Sequence, residues 1–162
     1  YANVLDPEHI NQLDYAALAG LLKPSGYFNI KAQRLKAFCQ WYMEQGGYSQ
    51  LNQLDTDVLR EKLLQVYGIG PETADDMMLY AFHRPCFVID SYTRRIFARQ
   101  GIAQGDEAYD VLRLAVEQAL SSDVKIMNEF HALIVSHAKD FCRKKPVCTQ
   151  CTIQDSCSVI SE

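Results

Sequence analysis

Apolar residues return every three or four positions along nearly the whole chain, the spacing of one buried helix face. The pattern predicts a short helix from Asp14 to Leu22, stopped by "KPSG", where Pro24 and Gly26 both break it. Asn29 is placed to cap a longer helix through "IKAQRLKAFCQWYMEQ", with Ile30, Leu35, Phe38 and Tyr42 on one face. "GGYSQLNQL" reads as a loop. Asp55 or Thr56 would cap "DVLREKLLQVY", and Pro71 fits the first turn of a helix "PETADDMMLYAF". "CFVID" is a short β-like stretch, and "SYTRRIFARQ", "DEAYDVLRLAVEQAL" and "KIMNEFHALIVSHAKDF" are three more helices. Strand alternation persists nowhere else, so the expected fold class is all-α. Composition shifts once, at Phe141/Cys142, where helix gives way to a cysteine loop.

A length of 162 residues with 48% hydrophobic content suits one domain with an ample core. No apolar run approaches the roughly 18 residues of a membrane span, and "YANVLDPEHINQ" lacks the basic-then-apolar order of a signal peptide. The expected setting is therefore the cytoplasm, in association with the nucleoid, with no membrane partner. A net charge of −4 argues mildly against nucleic acid, although local patches override a global average. Cysteine usage is more telling. Cys39 and Cys86 are isolated, whereas Cys142, Cys148, Cys151 and Cys157 lie close together near the C-terminus, as metal ligands do and disulfide frameworks do not.

Two stretches carry candidate chemistry. In "VYGIGPETADD", Gly68-Ile69-Gly70 joins two predicted helices, and the amides of such a turn, with Thr73 in the next helix, can hold one phosphate without base specificity. A plain connection between helices explains the tripeptide equally well. In "CRKKPVCTQCTIQDSC", the spacing C-x5-C-x2-C-x5-C suits a [4Fe–4S] cluster or a structural zinc; zinc sites usually show two separated C-x2-C pairs, and one is present.

"YGIGPETA" resembles the helix-hairpin-helix of the endonuclease III-like DNA glycosylase superfamily. "SGYFNIKAQRL" resembles that family's Gly-aromatic/Leu-Tyr-Asn-x-Lys-Ala segment, "FVIDSYTRRIF" its essential-aspartate segment, and "HALIVSHAKDFC" the helix leading into its iron–sulfur loop. The similarity runs from about Pro24 to Cys157. It implies a helical barrel domain over residues 1–123, with the hairpin at about 55–83, and a C-terminal helix and cluster loop over 124–162. It implies double-stranded DNA containing damaged bases as partner, a monomer, a [4Fe–4S] cluster on the four cysteines, and Arg143, Lys144 and Lys145 turned to phosphates, unless that loop is merely solvated. The family's usual spacing has one more residue before the second cysteine, so the loop here is read as shortened but still closing.

By the same resemblance Asp90, eighteen residues after Glu72, is the catalytic carboxylate; its helix-capping role is compatible with that. Strand-cleaving members carry a lysine two residues after the second hairpin glycine, where this chain has Glu72, and a carboxylate forms no imine. A monofunctional glycosylase is therefore expected, closest to the 3-methyladenine-removing branch, whose cationic bases leave readily. Alternatives are a bifunctional enzyme for oxidised pyrimidines that has recruited another lysine, and a non-catalytic DNA-binding module. Glu72 either faces the flipped base or is a first-turn acid favoured by the helix dipole. Tyr27, Phe28 and Trp41 are candidate pocket aromatics, but core packing is the expected role of each. His83, His131 and His137 lack metal-ligand spacing and are expected to pack or hydrogen-bond. Arg94, Arg95 and Arg99 would meet phosphates or solvent. Relatives usually carry an N-terminal helix and a DNA-wedging loop before the matching region, so the chain is expected to lack that part.

Overall fold

A computed structural model describes residues 6–158, and among these the chain is helical with no strand. Close contacts divide it between Gly70 and Pro71 into two compact units, a division that falls inside the expected hairpin.

The first unit opens with two short helices begun by aspartates. Asp6 accepts from the Glu8 amide at the head of α1 (Pro7–Gln12). Asp14 accepts from the amides of Ala16 and Ala17 at the head of α2 (Tyr15–Leu22), satisfying donors that a helix leaves orphaned. Both pack on α3 (Phe28–Glu44) around buried Leu18, Ala19 and Ala32. Burying a leucine such as Leu18 contributes about 2 kcal/mol. The expected Asn29 cap does not form, because the chain reverses through Gly26 and a left-handed Tyr27 (φ 49°) and the helix has already begun at Phe28. The stretch read as a loop holds α4 (Gly47–Leu51), since the Tyr42 hydroxyl takes the Tyr48 amide and Leu51 is buried. Helix α5 (Thr56–Leu64) follows, preceded by Asp55 in the cap position.

In the second unit, α6 (Pro71–Asp76) runs into a π-helical stretch, Met77–Ala81. Such wide turns are rare and concentrate at functional sites. Three longer helices follow: α7 (Ser91–Arg99), α8 (Tyr109–Ala119) and α9 (Val124–Asp140). Helix α9 packs on α7. The core gathers Leu79, Phe87–Ile89, Ile96, Phe97, Leu112, Met127 and Ile134. "CFVID" is extended as expected but pairs with no strand. Its amides are met by side chains: Phe87 N–H donates to Glu117 Oε1 at 2.8 Å and Ile89 N–H to the Tyr109 hydroxyl at 3.3 Å. That substitution for a sheet partner lets a buried extended segment survive in an all-α unit. No helix among the described residues is long and apolar enough to cross a membrane.

Candidate active site

The extended segment delivers Asp90 to the head of α7. Residues 86–89 are each 2% exposed or less, so the strut is fixed on all sides. Asp90 itself is buried, and its Oδ1 accepts the Thr93 amide at 2.7 Å, so the capping role is real. Its other oxygen faces α9, where His131 Nε2 stands 3.8 Å away. That is an electrostatic contact too long for a hydrogen bond, and Nε2 has no hydrogen-bond partner among the described residues. The other ring nitrogen, Nδ1, lies 2.7 Å from the Tyr80 hydroxyl at the π-helical stretch.

Helix α6 turns carboxylates toward the same place. Burial raises the Asp90 carboxyl, but the His131 ring and the Thr93 amide and hydroxyl outweigh it and hold Asp90 below the usual aspartate value. Glu72 and Asp76 go the other way. Burial, then the Asp90 charge and Asp76, push Glu72 up; burial also pushes Asp76 up, against the pull of His131. Proton affinity is thus divided unevenly among neighbouring carboxylates, lowest at Asp90 and raised at Glu72 and Asp76. Behind them, fully buried Asp75 faces Arg113 Nε at 3.9 Å. Arg113 Nη1 also pairs with Glu117 at 2.8 Å, the residue that holds the Phe87 amide.

Sequence reasoning named Asp90 and Glu72 but missed Asp76, Tyr80, Tyr109, Arg113 and Glu117, and read His131 only as a packing or hydrogen-bonding residue. A signal existed for His131. The buried stripe of α9 is Met127, His131, Ile134 and Ala138, so the histidine is a polar residue at a core position. Glu117 likewise follows Val116 on the buried face of α8.

The hairpin residues are placed less uniformly than expected. Gly68 has φ +86°, and a Cβ there would collide with the Arg34 stem. Gly70 has neither a positive φ nor any atom within 4 Å of an added Cβ. The Ile69 amide is spent on Val66 O at 3.0 Å, closing the turn, so it is not available to an anion. The amides of Gly68 and Gly70 have no partner among the described residues. Thr73 is exposed.

Cys142, Cys148, Cys151 and Cys157, all free, line one cavity of about 180 Å³ together with Arg99 and His137. That is several times the ~30 Å³ share of one water molecule. Among the described residues no three metal-ligating side chains converge as a single metal ion requires. Arg99 Nη1 donates to Cys142 Sγ at 3.2 Å, and His137 Nε2 is 3.5 Å from Cys151 Sγ. The three arginines of α7, expected to meet phosphates or solvent, are half-buried and reach backbone carbonyls within the protein. Arg94 donates to the carbonyls of Gly105 and Glu107, Arg95 to those of Cys142 and Ala138, and Arg99 to those of Arg143 and Lys144. Carbonyls at and past the end of α9 draw Arg95 and Arg99 inward, and those of the loop before α8 draw Arg94. Lys144 and Lys145 are exposed. Of the aromatics, Phe28 packs in the first core, Trp41 packs on Phe38 at 5.9 Å, and Tyr27 is 85% exposed, so it is not core.

Comparison with known proteins agrees with this architecture. The pattern of the HhH-GPD superfamily of base excision DNA repair proteins matches residues 1–122. A protein of Methanocaldococcus jannaschii, whose assignment as a DNA repair glycosylase is itself provisional, is 40% identical over 158 residues, covering 96% of this chain and 72% of its own. A non-covalent endonuclease III–DNA complex superposes with a TM-score of 0.75 at 20% identity, over 97% of this chain and 70% of that one, which establishes the fold. The H. pylori 3-methyladenine DNA glycosylase bound to 1,N6-ethenoadenine superposes with a TM-score of 0.69 at 28% identity, over 82% and 66%.

Proposed function

The chain belongs to the HhH-GPD superfamily of base excision DNA repair proteins, and on that footing we propose that it is a monofunctional DNA glycosylase acting on alkylated, positively charged bases. The carrying observation is a buried carboxylate, Asp90, kept ionised beside His131 while Glu72 stands where strand-cleaving relatives need an amine. The bond between the base nitrogen and deoxyribose C1′ breaks, and its electron pair leaves with the base. On an alkylated purine that pair neutralises the ring's positive charge, so no acid is needed. The sugar becomes oxocarbenium-like, Asp90 stabilises it and takes a proton from the water that adds to C1′, and an abasic site remains. Glu72 and Asp76 provide a negative wall suited to a cationic base. Lys62, the lysine preceding the hairpin, donates to Gln45 Oε1 instead.

The amides of Gly68 and Gly70 are proposed to hold a phosphate, with Thr73, Lys144 and Lys145 making further backbone contacts. The four cysteines are proposed to hold a [4Fe–4S] cluster, which when bound would cross-link the loop. The C-x5-C-x2-C-x5-C spacing, with one C-x2-C pair where zinc sites usually have two, and the cavity of about 180 Å³ that the four thiols line support this reading. Iron and sulfide analysis against zinc analysis decides it.

One observation favours the bifunctional reading. Exposed Lys139 shares a surface concavity with Tyr80 and His131, which puts an amine near the acidic site. The discriminating experiment is single-turnover release from duplexes carrying 3-methyladenine, 7-methylguanine, thymine glycol or uracil. Alkylated purines are expected to be released fastest; release of thymine glycol alone would overturn the substrate assignment.

A further inference from the structure

We propose that His131 is a positioning residue for Asp90, presenting an Nε2–H to the carboxylate with its proton placement set by Tyr80. The proposal rests on the reading of Asp90 as the catalytic carboxylate. His131 is 5% exposed, and a ring nitrogen buried without a partner is costly unless something fixes it there. Here the unpartnered atom points at Asp90 Oδ2, 3.8 Å away, while the opposite nitrogen is held by a 2.7 Å contact to Tyr80 Oη.

The partner decides the tautomer. The Tyr80 hydroxyl can donate to Nδ1 at 2.7 Å or to the Asn128 carbonyl at 3.5 Å, and the shorter bond prevails in the neutral ring. Nδ1 is then the acceptor, and the proton sits on Nε2. If the ring gains a second proton, Nδ1–H donates to Tyr80 Oη, whose own hydrogen turns to Asn128 O. Nε2 therefore offers a proton to Asp90 in both states, and rotation of one hydroxyl accommodates the change. A gap of 3.8 Å can tighten on substrate binding or admit a bridging water.

The surroundings give this arrangement its purpose. The titratable groups that act on the pair are Glu72 and Asp76 of α6 and Tyr80 beyond it; Asp75 and Arg113 of α8 pair with one another, and Arg113 also with Asp110 and Glu117. Arg113 is thus occupied by Asp75, Asp110 and Glu117, and what opposes ionisation of Asp90 is its burial. His131 is the donor that stands against that burial. A histidine so oriented, with its second nitrogen fixed by a partner, is a common way to aim a reacting group.

The test reads Asp90 and the ring directly, without base release. Carbon-13 carboxyl titration of aspartate-labelled protein, assigned with Asp90→Asn, follows Asp90 in the wild type and in His131→Leu, His131→Gln and Tyr80→Phe. Nitrogen-15 shifts of labelled histidine report which nitrogen carries the proton. The expected results are an Nε2–H tautomer and an Asp90 midpoint raised by about one pH unit in His131→Leu. His131→Gln, which retains an amide N–H, should fall between that variant and the wild type. Tyr80→Phe should shift the midpoint less, with the Nδ1 signal altered. An Nδ1–H tautomer in the wild type, or an unmoved Asp90 midpoint in a folded His131 variant, overturns the proposal. If His131→Leu does not fold, the tautomer and the partly exposed Tyr80 position still decide it. A wild type that releases no alkylated base would sink the proposed substrate and leave these readings intact.

Discussion

Two segments of the second unit carry its proposed chemistry, and they are held in opposite ways. Residues 86–90 are buried, and the amides of Phe87 and Ile89 are met by Glu117 and Tyr109 from within the fold. Residues 142–157 are half-exposed; arginine side chains grip their carbonyls, and their four thiols surround a cavity. Helix α7 serves both, since Asp90 caps its start and Arg99 near its end reaches the cysteine loop. The contrast teaches a division of labour. The carboxylate's position is built from buried packing and side-chain caps, whereas the loop is held from outside by arginine contacts to its carbonyls.

The largest test of that contrast is at its catalytic end. Asp90→Asn should lower base release by about 10² to 10⁴-fold with DNA affinity retained in a gel-shift assay. Absence of activity in both proteins would favour the non-catalytic module. Glu117→Ala comes next. It strips the Phe87 amide and Arg113 of a buried partner and should cost about 3 kcal/mol in denaturant unfolding. At the other region, Arg99→Gln removes contacts to Cys142 Sγ and two loop carbonyls and should cost about 1 kcal/mol. Hydrogen exchange should quicken over residues 142–157 and stay unchanged at 86–90; equal loosening of both would break the contrast.

The smallest effect is with pH, and the sign differs between groups. Glu72, Asp76 and Glu117 have raised folded-state values, so they oppose folding at neutral pH and that penalty lifts as pH falls through those values. Asp90 has a lowered value, so its contribution is present above the ordinary aspartate value near 3.8 and is lost below it. The melting temperature should therefore hold or rise slightly from pH 7 toward the ordinary carboxylate values and then drop.

Much of this was legible beforehand because helices announce themselves by period and caps. Asp14 and Asp90 are capping residues recognisable from their place before an apolar-periodic run, and the cysteine spacing stands out in any chain. What escaped was long-range. Nothing near "CFVID" says that Glu117, thirty residues on, will take the Phe87 amide, and that bond is why a β-like stretch needs no sheet. The internal contacts of the α7 arginines escaped for a related reason. Their charge is visible in sequence, but the carbonyls they reach, before α8 for Arg94 and after α9 for Arg95 and Arg99, come within range only once the helices pack. Buried polar residues in apolar stripes, His131 above all, were the readable clue.

Base removal without strand cleavage is the property on which the proposed function turns. Purified protein is mixed with a duplex bearing one 3-methyladenine, treated with sodium borohydride, and analysed for free base, intact abasic strand and covalent protein–DNA adduct. Free base, an uncut abasic strand and no adduct are expected. An efficient borohydride-trapped adduct, above all one lost in Lys139→Gln, would contradict it.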